Sequence, residues 1–249
     1  EIASCLVGSE MCIRDRETTV SLNSIMNIGM SGLQTAQSQL RAVSDNISNV
    51  NTPGYVRKVV EQSAAVANGH GAGVDVARVR LATDRFLQAA GYSASADAAR
   101  YQVRHELYDQ IQTAFGDPSG DGGLFGDIDD LFANFASLAE MPTSSPARQD
   151  AIHRTQALFN EAKSISQRIQ SLRQEADSRL GGAVAAVNPL LEEIDKLNKT
   201  IATASVTGQD ATGAENAQLN LISQLSKLMD VKVEPRMNGG VRTTTPHLI

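Results

Sequence analysis

The chain of 249 residues has no Trp, and aromatic residues make up only 4% of it. Ala, Ser, Gln and Leu dominate instead, a mix suited to long helices packed through small side chains. Its two cysteines, Cys5 and Cys12, both lie within the first twenty residues. The remainder therefore excludes disulfides, thiolate metal sites and a Cys nucleophile. No apolar run reaches membrane-span length. The net charge of −6 lacks the clustered Lys and Arg that nucleic-acid phosphates require. Neither a membrane span nor a nucleic-acid partner is expected.

Residues 1–20 show neither helical nor strand periodicity. Leu6 to Asp15 looks like a translated sequencing adapter, and Glu10, Arg14, Asp15, Arg16 and Glu17 interrupt any secretory apolar core. Residues 1–20 are expected to be an adapter-derived or disordered tail, with the true start between Leu22 and Met26.

The remaining chain reads as mainly α. From Ser24 to Asn51, Met26, Leu33, Leu40 and Ile47 recur every seven residues, each followed three positions later by Gly29, Ala36, Val43 or Val50. This is a heptad stripe of alternating large and small residues. Little nearby sequence offers to cover it, and a lone helix of this size is marginal in water. The stripe is expected to need a partner helix and to lack stable structure without one. Thr52-Pro53-Gly54 predicts a type II turn. Tyr55 to Val60 reads as extended, Asn68 to Gly73 as a flexible connector, and Val74 to Leu81 alternates as a half-buried strand.

Asp84 is placed to cap a helix running to Phe115. Gly116 to Gly126 reads as a loop, and Asp127 to Leu138 as a short helix with Ile128, Leu131, Phe132 and Phe135 on one face. Ser145 then caps, and Pro146 opens, the longest helix. Its seam is Ala151, Thr155, Leu158, Ala162, Ile165, Ile169, Leu172 and Ala176, expected to pack within the chain on the helices at 84–115 and 216–230. Gly181-Gly182 and Pro189 predict a kink or short break, after which Leu190, Leu191, Ile194, Leu197 and Ile201 resume the pattern. Gly208 to Gly213 reads as a loop. Leu219, Ile222, Leu225 and Met229 mark a last helix. Val231 to Val233 and Val241 to Thr245 start a hairpin that is unstable alone, so the chain reads as truncated. The expected divisions are 21–54 (axial helix and turn), 55–83 (β excursion), 84–230 (helical bundle) and 231–249 (start of a β region).

Chemistry-bearing residues form no set. His70, His105, His153 and His247 share no ligand spacing. Asp117, Ser119, Asp121 and Gly122 echo a calcium loop, but Ile128 stands where the bidentate Glu belongs. Gly69-His70-Gly71-Ala72-Gly73 lacks the Lys and hydroxyl residues of a phosphate loop, and the sequons at Asn46 and Asn198 fall in predicted helix. No catalytic residue, metal or cofactor is assigned.

Three runs carry a resemblance: Ser31-Gly32-Leu33, Ser44-Asp45-Asn46-Ile47-Ser48-Asn49 and Asn51-Thr52-Pro53-Gly54-Tyr55. They resemble the N-terminal signature of bacterial flagellar axial proteins, the family of rod, hook and hook-associated subunits. Phe135 to Ala139, Pro142 and Ser145-Pro146-Ala147-Arg148-Gln149 are similar to the hook-associated members at the hook–filament junction. The chain departs from these at Asn220 to Leu228, where the family carries a more charged run.

The resemblance implies a structural subunit, not an enzyme, exported unfolded through the flagellar type III apparatus to an extracellular flagellum. It implies an assembly interface at Met26, Leu33, Leu40, Val43, Ile47 and Val50. The motif turn would be Asn46, Asn49, Asn51, Thr52, Pro53, Gly54 and Tyr55. Implied partners are further copies in a ring, hook subunits, a second junction protein, flagellin-like filament subunits and an export chaperone. A rod or hook subunit is the alternative within the family, and a soluble helical adaptor or enzyme the alternative outside it.

Overall fold

The computed structural model describes residues 22–67, 69–119, 122–237 and 239–245. The tail at 1–20, Asn68, Asp121, Asn238 and His247 lie outside them. The fold is mainly α, with five helices and two small antiparallel hairpins among the described residues. It divides into two compact units, one ending at Ala82 and the other beginning at Thr83.

The first unit is α1 (Leu22–Ser48), then β1 (Lys58–Ala67) paired with β2 (His70–Leu81). The expected connector at 68–73 is mostly strand. The reversal is confined to the residues around Gly69 (φ 79), and His70 already pairs with Ala67. Register shifts at Glu61/Gln62 and Ala65/Val66 mark bulges, which add local twist to a two-stranded ribbon. The stripe gains no partner helix among the described residues, but α1 is formed and is supported on another face. The hairpin covers one face of it, burying Thr35 and Ala42.

The second unit is built along α4 (Ser145–Thr207), a continuous helix of 63 residues and about 95 Å. The break expected at Gly181-Gly182 and Pro189 does not occur. Two glycines cost roughly 1 kcal/mol each and an interior Pro about 3 kcal/mol. Burial surrounds them: Ile165, Ile169 and Leu172 before the glycines, Val187 between them and Pro189, Leu190 and Ile194 after it. Within the predicted seam Ala162 is exposed, and in its continuation Leu191 is exposed while Asn198 and Ala204 are buried. The cap is Ser144 rather than Ser145. Ser144 Oγ accepts from Ala147 N–H at 3.4 Å, and Pro146 occupies the first turn, where its missing donor has no helical partner anyway.

Within this unit two helices precede α4 in sequence. α2 (Arg85–Phe115) starts at Asp84, whose carboxylate accepts from Phe86 N–H at 2.9 Å and Leu87 N–H at 3.2 Å. α3 (Gly123–Glu140) begins four residues earlier than expected, because Leu124 and Phe125 turn partly inward. α3 is the main partner of the first part of α4, a pairing the sequence reading omitted, and Arg154 meets Asp130 across it at 2.6 Å. Arg179 of α4 pairs with Glu106 of α2 at 3.0 Å, and this guanidinium holds the Glu106 carboxyl below its usual range.

The core lies where the end of α4 meets α5 (Thr212–Ser226) and the second hairpin, β3 (Lys232–Pro235) with β4 (Val241–Thr244). Ile194, Ile222, Leu225 and Val231 are buried there, with Tyr92, Val187, Leu190, Leu221, Met229, Val233 and Val241 packed around them. α5 starts inside the expected 208–213 loop. Its N-cap is Ala211, and Asp210 just ahead of it accepts from both the Thr212 N–H (2.9 Å) and hydroxyl (2.6 Å).

Asn198, dismissed in the sequence as half of a chance sequon, is a buried hub. Its Oδ1 accepts from Gln218 Nε2 at 2.9 Å and from Val241 N–H at 2.7 Å. It thereby ties α4 to α5 and to β4, so the hairpin is not alone. Gly240 (φ 75) is required beside it, since a Cβ would run into Asn198 Oδ1.

Asn198→Ala should destabilise this unit by about 1–3 kcal/mol, because two buried donors lose their acceptor; thermal unfolding of the chain reads it. Gly181→Ala with Gly182→Ala should do the reverse. Neither Cβ would meet anything within 4 Å, so each should stabilise by up to about 1 kcal/mol.

Candidate assembly interface

An α-helix advances 100° per residue, so residues seven apart share a face and different heptad positions point different ways. α1 uses two of its faces differently. The docked face comprises Ser24, Ile28, Ser31, Thr35, Ser38, Ala42 and Asn46, all buried or half-buried. Most are small or polar. Ser31 Oγ donates to Ile28 O at 2.9 Å and accepts from Val74 N–H at 3.2 Å. Thr35 Oγ1 donates to Val74 O at 3.4 Å. Gly73 (φ 111) lets the strand come this close, because a Cβ there would collide with Ser31 Oγ and press on Ile28 Cα.

At the other end of the helix Asn46 bonds to a strand backbone with its whole amide. Its Oδ1 accepts from Lys58 N–H at 2.8 Å and its Nδ2 donates to Lys58 O at 2.9 Å. The same Oδ1 accepts from Tyr55 Oη at 3.1 Å. Lys58 Nζ adds an ion pair with Asp45 at 2.7 Å, its side chain largely covered while Asp45 is half-exposed.

Between them the motif turn closes on itself. Asn49 Nδ2 donates to Asp45 O at 2.9 Å, and Thr52 Oγ1 donates to Asn49 Oδ1 at 3.2 Å. Thr52 N–H donates to Asn49 O at 2.9 Å and Tyr55 N–H to Thr52 O at 3.1 Å. Pro53 and Gly54 are the central residues of that last turn, with Gly54 at φ 77, as a type II turn needs. Asn51, Pro53 and Gly54 are exposed. Further along, Glu61 is straddled by Arg78 and Arg80, and these cations hold its carboxyl below the usual range.

Five of the six stripe residues lie elsewhere on the helix, and Val50 lies in the turn just past its end. Leu40 is five positions from Thr35, hence about 140° around the axis. Met26, Leu33, Leu40, Val43, Ile47 and Val50 are all exposed, from 50% at Val43 to 75% at Val50, and Leu22, Ile25 and Met30 extend the apolar surface. The seam and the docked face therefore coexist on one helix.

The sequence reading missed the roles of Thr35, Lys58 and Gly73. Their only signal was a second heptad row, Ile28, Thr35, Ala42 and Asn49, with Ser31 and Ser38 between, too small and polar to register as a seam.

His70, His105 and His153 are exposed on separate elements. Asp117 is engaged locally, accepting from Ser119 N–H (2.9 Å) and Oγ (2.8 Å), and the Ser119 N–H holds its carboxyl down. Among the described residues no group of three His, Cys, Asp or Glu is arranged to hold a metal ion, and no helix is long and apolar enough to cross a membrane.

A long helical unit and a separate helix–hairpin unit, whose helix displays an exposed apolar stripe, place the chain in the class of mainly helical proteins. Residues 108–246 match the flagellar hook-associated protein FlgK helical domain, and residues 26–55 match the flagella basal body rod protein family. The chain belongs to the flagellar hook-associated protein FlgK helical-domain family.

It is 29% identical over 232 residues to flagellar hook-associated protein 1 of Salmonella typhimurium, covering 90% of this chain and 41% of that protein. A second relative is flagellar hook protein FlgE of Caulobacter vibrioides, 47% identical over 51 residues, covering 20% of this chain and 9% of that protein. The solved flagellar hook junction protein FlgK of Burkholderia pseudomallei is 25% identical, with a TM-score of 0.47, covering 62% of this chain and 26% of that one. The chain thus spans about two fifths of the length of the hook-associated relatives it matches.

Gly73→Ala is expected to cost the first unit about 1–3 kcal/mol, from a strained positive φ together with the clash on Ser31. Amide exchange should accelerate across residues 58–81 and remain unchanged beyond residue 83.

Proposed function

We propose that this chain is part of a non-enzymatic structural subunit of the bacterial flagellum, placed where hook meets filament. One observation carries the reading. A single chain joins a rod-type N-terminal match at 26–55 to a hook-associated helical match at 108–246. The apolar seam of α1 supports it physically, since a stripe of this length is costly to leave in water. Met26, Leu33, Leu40, Val43, Ile47 and Val50 form the assembly interface, and Asn46 to Tyr55 fix the exit of the chain from it.

In this reading residues 21–54 are the axial helix and turn, and 55–83 the connector. Residues 84–230 are the helical bundle and 231–249 the start of a further β region. The subunit is exported through the type III apparatus with a chaperone and works outside the cell. It associates with its own copies in a ring, with hook subunits below, and with a second junction protein and flagellin-like subunits above. Affinity comes from repeated lateral contacts rather than from one tight site.

The match to a hook protein over 51 residues favours a second reading, a rod or hook subunit. Deleting the gene separates the two. A junction subunit predicts finished hooks and flagellin released unpolymerised; a rod or hook subunit predicts no finished hook. Normal filaments would contradict both.

Leu40→Asp should reduce filament-bearing cells at least tenfold, because a charge buried in an apolar seam costs several kcal/mol. Thermal unfolding of the helical unit beyond Thr83 should stay unchanged.

A further inference from the structure

The exposed seam only works as an assembly surface if α1 presents it in a fixed direction. Apolar contacts alone do not set rotation, because they are non-directional. Hydrogen bonds do, and those between α1 and its hairpin are concentrated at two points. Toward the middle of the helix Ser31 and Thr35 read the peptide groups of Val74: the N–H through Ser31 Oγ, the carbonyl through Thr35 Oγ1. Near the end Asn46 reads both backbone groups of Lys58. Ser31 and Asn46 are fifteen residues apart, about 22 Å along the axis, and both lie within about 40° of the Thr35 direction. Two directional anchors that far apart leave a rigid helix no freedom to roll or slide.

The anchor oxygens are also engaged within the chain. Asn46 Oδ1 accepts from Lys58 N–H and Tyr55 Oη, which uses both of its lone pairs. Ser31 Oγ both donates and accepts within the chain.

We infer that Asn46 and Ser31 are positioning residues that lock the rotation of α1 on the β1–β2 hairpin, so that helix and hairpin enter the assembly as one piece with the apolar seam held outward. Asn46 and Ser31 thus act inside the subunit, while the apolar stripe faces a partner. The inference rests on the reading of the seam as an assembly surface.

The test uses four variants in the gene encoding this chain: Asn46→Ala, Asn46→Asp, Ser31→Ala and Leu40→Asp. Asn46→Asp keeps the shape but sets a carboxylate against the Lys58 carbonyl. Amide exchange of the purified protein reads the lock, and filament-bearing cells read assembly. Both Asn46 variants should speed exchange at Lys58 about tenfold or more, the scale of one lost buried hydrogen bond, and Ser31→Ala should do the same at Val74. Amides beyond residue 83 should be unaffected, and filament-bearing cells should fall severalfold. Leu40→Asp should reduce filaments with the Lys58 and Val74 rates unchanged.

Unchanged exchange at Lys58 in both Asn46 variants would overturn the lock. So would accelerated exchange with filaments at the wild-type level. If instead Leu40→Asp assembles normally, the seam reading fails, a result distinct from either of those.

Discussion

The hydrogen bonds of Asn46 to the backbone of Lys58 are the constraint on which the first unit depends. They join the end of α1 to the start of β1 across only twelve residues of sequence. Asn46 can serve there because its side-chain amide carries the same donor and acceptor pair as a peptide group. Tyr55, two residues past Pro53, reaches back to the same amide oxygen. The Pro-Gly turn, the Asn and the Tyr are therefore one device: the turn reverses the chain, and the two side chains hold the reversal closed. The helix docks by its small polar face, and its large apolar residues are left outward.

The second unit follows the opposite logic. Its polar hub is buried and its apolar seam faces inward. Asn198 bridges α4, α5 and β4 with one oxygen, and Ile194, Ile222, Leu225 and Val231 close around that end of the long helix. A continuous α4 spans from the α3 pairing at one end to this core at the other. The chain thus combines a helical strut packed at its two ends with a helix that docks by one face only. That division fits membership of a family of flagellar subunits.

Periodicity made much of this legible. The stripe on α1, the seam of α4, the apolar positions of α5 and the Asp84 cap all follow from spacing and capping chemistry, which act locally. The errors came from interactions that leave no apolar trace. Ser31, Thr35 and Asn46 bond to strand backbone 12 to 43 residues away, so the partner of α1 was invisible to a pattern of large hydrophobics. Gly73 looked like part of a flexible connector because its role depends on the approach of Ser31. Gly181, Gly182 and Pro189 looked like a break because local propensity omits the burial around them. Asn198 looked like a surface sequon because the groups it satisfies, Gln218 and Val241, lie 20 and 43 residues on.

The central claim is that α1 has an inward face for its own hairpin and an outward face for another helix. A photo-crosslinking residue introduced at position 35 or at position 40, in flagella assembled by living cells, tests this most directly. The account predicts that the label at position 35 joins α1 to residues near Val74 of the same subunit. The label at position 40 should join it to a helix outside residues 22–82, from the same or another subunit. Products from position 40 confined to residues 22–82, or the two labels giving the same products, would contradict it.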